Sequence, residues 1–209
     1  MSGRSMFEVS SLSNWDAATL YSLQDVWMHQ VSSRESEDIL RGLSHFKSLG
    51  SHRKDPSDFP MGVFESVLEK AVRECEYGLG VFLIRGLPIA DLPESDSKMI
   101  AWGIGMHLGV PLIQNSHGEM VVNVRDSGQL NPLRGNSTNA EIEHHTDNCD
   151  IVTLLCRRSA MSGGESRIVS SVRAYNFMVK NYPDMATDLH DMFPFSDISN
   201  KDGVEGSYF

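Results

Sequence analysis

The stretch EIEHHTDNCD, residues 141–150, carries two histidines and two aspartates within ten positions. His145 and Asp147 are two residues apart, so an extended backbone would place both side chains on one face of the chain. An imidazole nitrogen and a carboxylate oxygen on one face are the sequential part of a 2-His-1-carboxylate site, the geometry associated with non-haem Fe(II). The adjacent His144 would project from the opposite face, which favours a packing or hydrogen-bonding role. The spacing therefore predicts two metal ligands, with a second histidine to come from elsewhere in the chain.

Two other interpretations of this stretch remain open at this point. A His-x-Asp tripeptide is short, and the same residues also occur in ordinary polar loops. Cys149 lies within the stretch and could act as a soft ligand, although a free cysteine is more often a small buried hydrophobe. The sequence around the stretch has to decide between a metal site and a loop.

Composition and charge limit the classes of protein to consider. The chain has 209 residues, is 40% hydrophobic and carries a formal net charge of -10, which suits one globular domain and disfavours nucleic acid as a partner. No apolar run approaches the roughly 20 residues of a membrane-spanning helix, and we expect neither a secretory leader nor a membrane partner. Three cysteines without framework spacing favour reduced thiols and a cytoplasmic location.

Helical patterns dominate the first half of the chain, and short strand patterns surround the polar stretch. Helices are predicted from Ser32 to about Gly50, from residue 61 to Gly78, over residues 93–108, over 172–182 and over 183–193. Strands are predicted at residues 80–88, 119–126, 150–156 and 166–171, with loops or turns at 131–139, 161–166 and 196–209. The pattern indicates an α+β protein with strands of jelly-roll length, too few to close a barrel.

Several separated motifs occur in a recognisable order. HHTDNCDIVTLLC is followed by the GGES turn, by the strand RIVSS, and by a helix carrying the pair Tyr175–Asn176. Upstream lie YGLGVFLIRGLP, WGIGMHLGVPLIQN and MVVNVRD. Over residues 60 to 209 the sequence resembles the taurine dioxygenase-like (TauD/TfdA) family of Fe(II)/2-oxoglutarate-dependent dioxygenases. The resemblance implies an N-terminal helical extension, residues 1–59, followed by the N-terminal portion of a double-stranded β-helix, or jelly roll.

The resemblance also implies roles for individual residues. His145 and Asp147 match two iron ligands, and Ser166 matches a hydroxyl that helps hold 2-oxoglutarate, the cosubstrate. Asn123 and Gln114 fall where the family can line its substrate pocket. Gly163 and Gly164 have a simpler explanation, since a tight turn there would need positive φ. The implied reaction is oxidation, usually hydroxylation, of a small organic molecule.

The family's second histidine ligand and its 2-oxoglutarate-binding arginine are expected well downstream of Asp147. Only His190 follows, within a predicted helix, and no arginine follows it, so we expect His190 to be a surface or packing residue. The jelly roll is accordingly expected to be incomplete in this chain, with apolar faces that favour self-association or a partner chain. The alternatives are a non-catalytic homologue acting as a binding or regulatory partner, and an unrelated α+β binding protein in which HTD is a loop.

Overall fold

The computed structural model describes residues 6–50, 55–115, 117–126 and 141–191, which form two compact units. One unit contains Leu20–Ile168, and the other joins Met1–Thr19 to Val169–Phe209. The predicted boundary between residues 59 and 60 is a boundary of family resemblance that these units do not test, and it stays a prediction. The predicted loop at 131–139 and the predicted turn at 196–209 lie outside the described residues. Among the described helices, none is long and apolar enough to cross a bilayer.

Three long helices form the frame of the Leu20–Ile168 unit: α3 (Ser33–Leu49), α4 (Glu65–Tyr77) and α5 (Glu94–Leu108). The short elements before them are α1 (Ala17–Ser22), α2 (Gln24–Trp27) and strand β1 (Met28–Gln30). Single 3₁₀ turns at Pro56–Asp58 and Gly62–Phe64 lead into α4, and strand β2 (Leu83–Arg85) precedes α5. The predictions of α3, α4 and α5 are confirmed to within a few residues.

Local chemistry explains where α3 begins. The Ser32 hydroxyl accepts a hydrogen bond from the Glu35 N–H, and the Glu35 carboxylate accepts one from the Ser32 N–H, at 2.7 Å. This reciprocal pair is a capping box, which satisfies two backbone donors that an open helix end leaves without partners. The helix ends before Gly50, whose φ of 78° an L-residue rarely adopts.

The core of this unit is built around Phe59, which is fully buried between α3 and α5. A Cβ atom added at Gly42 of α3 would lie 2.9 Å from the Phe59 ring, and one added at Gly103 of α5 would lie 2.7 Å from it. The two glycines therefore let both helices approach the ring at a distance that no side chain allows. The cluster around Phe59 contains twelve buried residues: Val31, Ile39, Leu43, Phe59, Met61, Phe64, Val67, Leu68, Ile89, Ile100, Ile104 and Met106.

The sheet in the described residues consists of β1 and β2, which pair in parallel with Met28 opposite Leu83. The prediction of β2 is confirmed, whereas β1 was not predicted, because three residues of mixed polarity carry no period-two signal. The α+β class is confirmed in its coarse form. The strands predicted at 119–126, 150–156 and 166–171 are not formed, and that expectation is wrong for the described residues. A strand exists only where another strand pairs with its backbone, which composition cannot show.

The second unit is held together by its own polar contacts. It contains α6 (Ser171–Asn181) and α7 (Pro183–Asp188). Ser170 is the N-cap of α6, and Pro183 is the first residue of α7. The buried Asn176 amide accepts from the Val9 N–H at 2.7 Å and donates to the Val9 carbonyl at 2.8 Å. Two hydrogen bonds to one residue fix the N-terminal segment against α6.

Candidate metal centre

Residues 141–150 lie at the surface without regular secondary structure. The side chains of His145 and Asp147 are 56% and 55% exposed, so solvent reaches both. No strand forms here, yet the two-residue spacing brings the two side chains together. The His145 Nε2 atom lies 3.9 Å from the Asp147 Oδ1 atom.

The backbone beside His145 determines which ring nitrogen is available to a ligand. The Nδ1 atom lies 2.7 Å from the carbonyl oxygen of Glu143. Because a carbonyl oxygen can only accept, Nδ1 carries the proton, and in the neutral ring Nε2 then keeps its lone pair. Metal-binding histidines are commonly held in one tautomer in this way. The free nitrogen of His145 is the one that faces Asp147.

The separation of these two atoms can be compared with what one metal ion requires. Two neighbouring ligands about 2.1 Å from an ion at right angles are about 3 Å apart. The observed 3.9 Å is wider by about 1 Å, which small rotations of two exposed side chains can close. One imidazole nitrogen and one carboxylate oxygen also fit Fe(II) in chemical type. The pair therefore fits part of an iron site, while the described residues contain no group of three or more metal-binding side chains.

The other residues predicted for the site lie apart from this pair or have other partners. Ser166 is exposed, and no hydrogen bond joins it to His145 or Asp147 within the described residues. Gln114 is exposed, and its side chain donates to the Leu112 carbonyl. Cys149 is an exposed free thiol whose Sγ lies 3.6 Å from the Ile151 carbonyl oxygen. No further ligand is brought to the pair by these residues.

His190 is not in a helix, which corrects its predicted position. The helix α7 ends at Asp188, and His190 follows in a turn closed by its N–H to the Thr187 carbonyl. Its Nε2 atom lies 3.2 Å from the Tyr175 hydroxyl, and the two rings meet edge to face. This places His190 in a packing role within its own unit. Gly163 and Gly164 have φ of 71° and 77°, which confirms the tight turn.

Asn123 takes part in a polar cluster at the beginning of α5. Its amide donates to the Glu94 carboxylate at 2.7 Å, and Arg125 approaches the same oxygen at 3.4 Å. The hydrogen bond from Asn123, followed by the charge of Arg125, lowers the pKa of Glu94 below its usual value. The side chain of Asn123 is thus engaged with α5.

Sequence reasoning did not identify the residue that ties the segment after Asp147 to the helical frame. Arg157 donates to the Leu92 carbonyl at 2.9 Å and to the Ser97 hydroxyl at 3.3 Å. Leu155, two residues earlier, packs against the buried cluster. The signal in the sequence was an arginine directly after an apolar run. Because such a run carries the arginine toward the protein interior, its guanidinium group needs hydrogen-bond acceptors there.

Comparison with known proteins identifies the family of the chain. Residues 46–203 match the model of a family described as "Taurine catabolism dioxygenase TauD, TfdA family". The chain is also similar to FR-33289 synthase of Streptomyces rubellomurinus, with 33% identity over 183 residues. That alignment covers 85% of this chain and 54% of the relative, so the chain spans about half the length of the protein it matches. Because the family match extends over most of its length, the chain belongs to the TauD/TfdA family of dioxygenases.

Proposed function

We propose that this chain provides the His-x-Asp part of an Fe(II)/2-oxoglutarate-dependent dioxygenase that hydroxylates a small organic molecule. Membership of the TauD/TfdA family supports the reaction class, since members of the family depend on Fe(II) and 2-oxoglutarate. The observation that carries the proposal is the hydrogen bond from His145 Nδ1 to the Glu143 carbonyl. In the neutral imidazole this bond leaves the Nε2 lone pair available on the side of the Asp147 carboxylate, 3.9 Å away.

Each residue of the pair has a distinct task in this proposal. His145 Nε2 and an Asp147 oxygen would hold the iron, and the Glu143 carbonyl would keep the imidazole in one tautomer and orientation. When bound with 2-oxoglutarate and dioxygen, iron supplies the oxidising power for hydroxylation. We further propose, from the family resemblance, that Ser166 donates to 2-oxoglutarate and that Asn123 and Gln114 contribute to substrate binding.

A second candidate function is a non-catalytic binding or regulatory partner. It is favoured by the number of metal-binding side chains, because the described residues assemble two and no group of three. Two ligands hold a divalent ion less firmly than three, and two exposed ligands lack the dry surroundings in which an oxidation is protected from water. In this candidate function His145 and Asp147 still bind a metal ion, but the protein catalyses no reaction.

Anaerobic titration of the protein with Fe(II) and 2-oxoglutarate tests the ligand assignment. We expect a metal-to-ligand absorption band that disappears in His145→Ala and in Asp147→Ala, because each substitution leaves a single ligand. His144→Ala is the matched control and should leave the band unchanged. A band that persists in both ligand variants would reject the assignment.

The same samples exposed to air separate the two candidate functions. Formation of succinate from 2-oxoglutarate, dependent on both ligands, supports the enzyme. A ligand-dependent band without succinate supports the non-catalytic partner.

A further inference from the structure

The stretch around His145 and Asp147 makes few contacts with the rest of the protein. Between described residues, the hydrogen bonds of residues 143–151 stay within that range. His145 donates to the Glu143 carbonyl, and the Cys149 N–H and thiol donate to carbonyls two residues away. The position of the metal-binding pair is therefore set by the segments that precede and follow it.

The segment after the pair is held more firmly than the one before it. Before the pair, Glu141 forms an ion pair with Arg167 at 3.2 Å, and these side chains are 78% and 72% exposed. An exposed ion pair of this kind contributes little to stability. After the pair, Leu155 packs against the buried cluster and Arg157 reaches the start of α5. Both of these residues are half-buried, so the contacts with the helical frame lie on the C-terminal side of the pair.

Arg157 binds two acceptors at the start of α5 with two different N–H groups of its guanidinium. Its Nε donates to the Ser97 hydroxyl at 3.3 Å, and its Nη2 donates to the Leu92 carbonyl at 2.9 Å. Ser97 is buried, and its hydroxyl donates in turn to the Pro93 carbonyl at 3.2 Å, which leaves its oxygen to accept from Arg157. Two donors of one planar group on two acceptors fix the orientation of that group as well as its position.

The acceptors of Arg157 are neutral, although the first turn of α5 also contains two carboxylates. Glu94 and Asp96 belong to this turn, and they pair with Arg125 and Lys47 respectively. A positive charge near a helix N-terminus is disfavoured by the helix dipole, and the two acidic side chains offset that cost. Because Arg157 donates to neutral groups, its position depends on the direction of its N–H groups rather than on attraction between charges.

We propose that Arg157 is a positioning residue for the His145–Asp147 pair. The chain bends at residues 148–150 and again at 157–158, and residues 151–156 join the two bends. By fastening the second bend to α5, Arg157 fixes this link and, through it, the bend that directly follows Asp147. The ligands of one metal ion must be held within about 0.5 Å of the geometry that binds it. This inference rests on the proposed function, because it assigns Arg157 a part in metal binding.

Distances between spin labels test the positioning without any metal. In a background with Cys75→Ser and Cys156→Ser, one label is attached to the exposed Cys149 and the other to Tyr77→Cys at the end of α4. We expect a narrow distribution of label distances that broadens in Arg157→Ala. Arg157→Lys should broaden it as well, because one ammonium group does not reproduce two directed donors.

The matched control is Arg158→Ala, because Arg158 is the exposed neighbour of Arg157. It should leave the distribution of label distances unchanged. Equal widths in Arg157→Ala and in the background protein would overturn the proposal, and so would equal broadening in Arg158→Ala.

Anaerobic titration with Fe(II) in the presence of 2-oxoglutarate measures the effect on the metal-binding pair. Arg157→Ala should raise the dissociation constant for Fe(II) about tenfold, the smaller of the effects usual when a group that orients metal ligands is lost. The absorption band should still form at saturating Fe(II), because His145 and Asp147 both remain, and this separates a positioning residue from a ligand. A broadened label distribution with an unchanged dissociation constant would overturn the role in metal binding.

Ser97→Ala tests whether Arg157 acts through α5. It removes the hydroxyl that accepts from Arg157, so it should also weaken Fe(II) binding. The double variant Arg157→Ala/Ser97→Ala should bind Fe(II) no more weakly than Arg157→Ala, whereas effects that multiply would show that the two residues act independently and overturn this route. If the unsubstituted protein gives no band, the proposed function fails, and the label distances still decide whether Arg157 fixes the stretch.

Discussion

Single residues in this protein obtain their chemical state from the backbone next to them. The carbonyl of Glu143 accepts from Nδ1 of His145, so the neutral ring keeps the Nε2 lone pair on the side of Asp147. The sequence predicted that these two side chains share a face, because the two-residue spacing is the same in any extended chain. It could not predict the tautomer, since that depends on a carbonyl orientation that residue types do not encode.

Glu35 shows the same dependence and leads to a prediction about acid stability. Burial raises the pKa of this carboxyl. The hydrogen bonds from the Ser32 N–H and hydroxyl, together with His29, lower it by more than burial raises it, so the pKa lies below the ordinary value of 4.5. A lowered pKa means that the folded state prefers the charged form. The stabilisation is therefore complete above pH 4.5 and is lost as the pH falls through the folded-state value.

Glu35→Gln keeps a side-chain oxygen that can accept from the Ser32 N–H but removes the negative charge, so it should reduce the free energy of unfolding at pH 7 by about 0.3–1 kcal/mol, the usual value of a charge at a helix N-terminus. The difference from the unmodified protein should shrink as the pH is lowered below 4.5. Urea unfolding at pH 7, 4 and 3 measures it. Glu37→Gln, at an exposed position of the same helix, is the control, and an equal loss in both variants would contradict the capping explanation.

At the scale of elements, the helices were more predictable than the strands, of which β2 alone formed among those predicted within the described residues. The apolar period of α3 and α4 and the serine N-caps of α3 and α6 are local signals, and these helices formed where the signals lie. The segments 119–126 and 150–156 have strand composition as well, but a strand also needs a neighbour at hydrogen-bonding distance. A metal site has the same dependence on distant segments, because a ligand set assembled from them leaves no periodic trace in the sequence; the described residues assemble no group of three.

The contact of Phe59 with α5 predicts opposite effects for two glycines of that helix. Gly103→Ala would place a Cβ 2.7 Å from the Phe59 ring, and overpacking of this kind costs about 1–3 kcal/mol. Gly105→Ala meets nothing within 4 Å and should be neutral or stabilising by up to about 1 kcal/mol, since alanine favours a helix. Thermal and urea unfolding of the two variants provide the comparison. A similar loss for both would show that the ring contact is not the cause.

At the scale of the whole molecule, side chains of α6 and its N-cap bind the beginning of the chain, where Ser170 donates to the Ser13 carbonyl and Arg173 pairs with Asp16. Asn176 binds both backbone groups of Val9, 167 positions away. Family resemblance indicated the Tyr175–Asn176 pair but not this partner, because a contact over such a separation depends on the complete fold. The family itself could be identified from ordered motifs, as the match over residues 46–203 confirms.

Asn176→Ala should release the N-terminal segment while the other unit stays folded. Loss of a buried partner for two backbone groups costs about 1–3 kcal/mol locally. Hydrogen exchange should become faster at residues 7–13 and remain unchanged in α3, α4 and α5. Asn181, whose amide donates to the Phe177 carbonyl of its own helix, provides the control: Asn181→Ala should leave exchange at residues 7–13 as it was. Unchanged exchange in Asn176→Ala would mean that other contacts hold the segment.

The bond between Val9 and Asn176 also sets an order on events during synthesis. Translation adds about 5–20 residues per second, so Asn176, 167 positions after Val9, is made roughly 8–30 seconds later. Throughout that interval the partner of Val9 does not yet exist. The N-terminal segment is therefore among the first parts of the chain to emerge and among the last to reach its final place, and a chaperone has that interval in which to hold it.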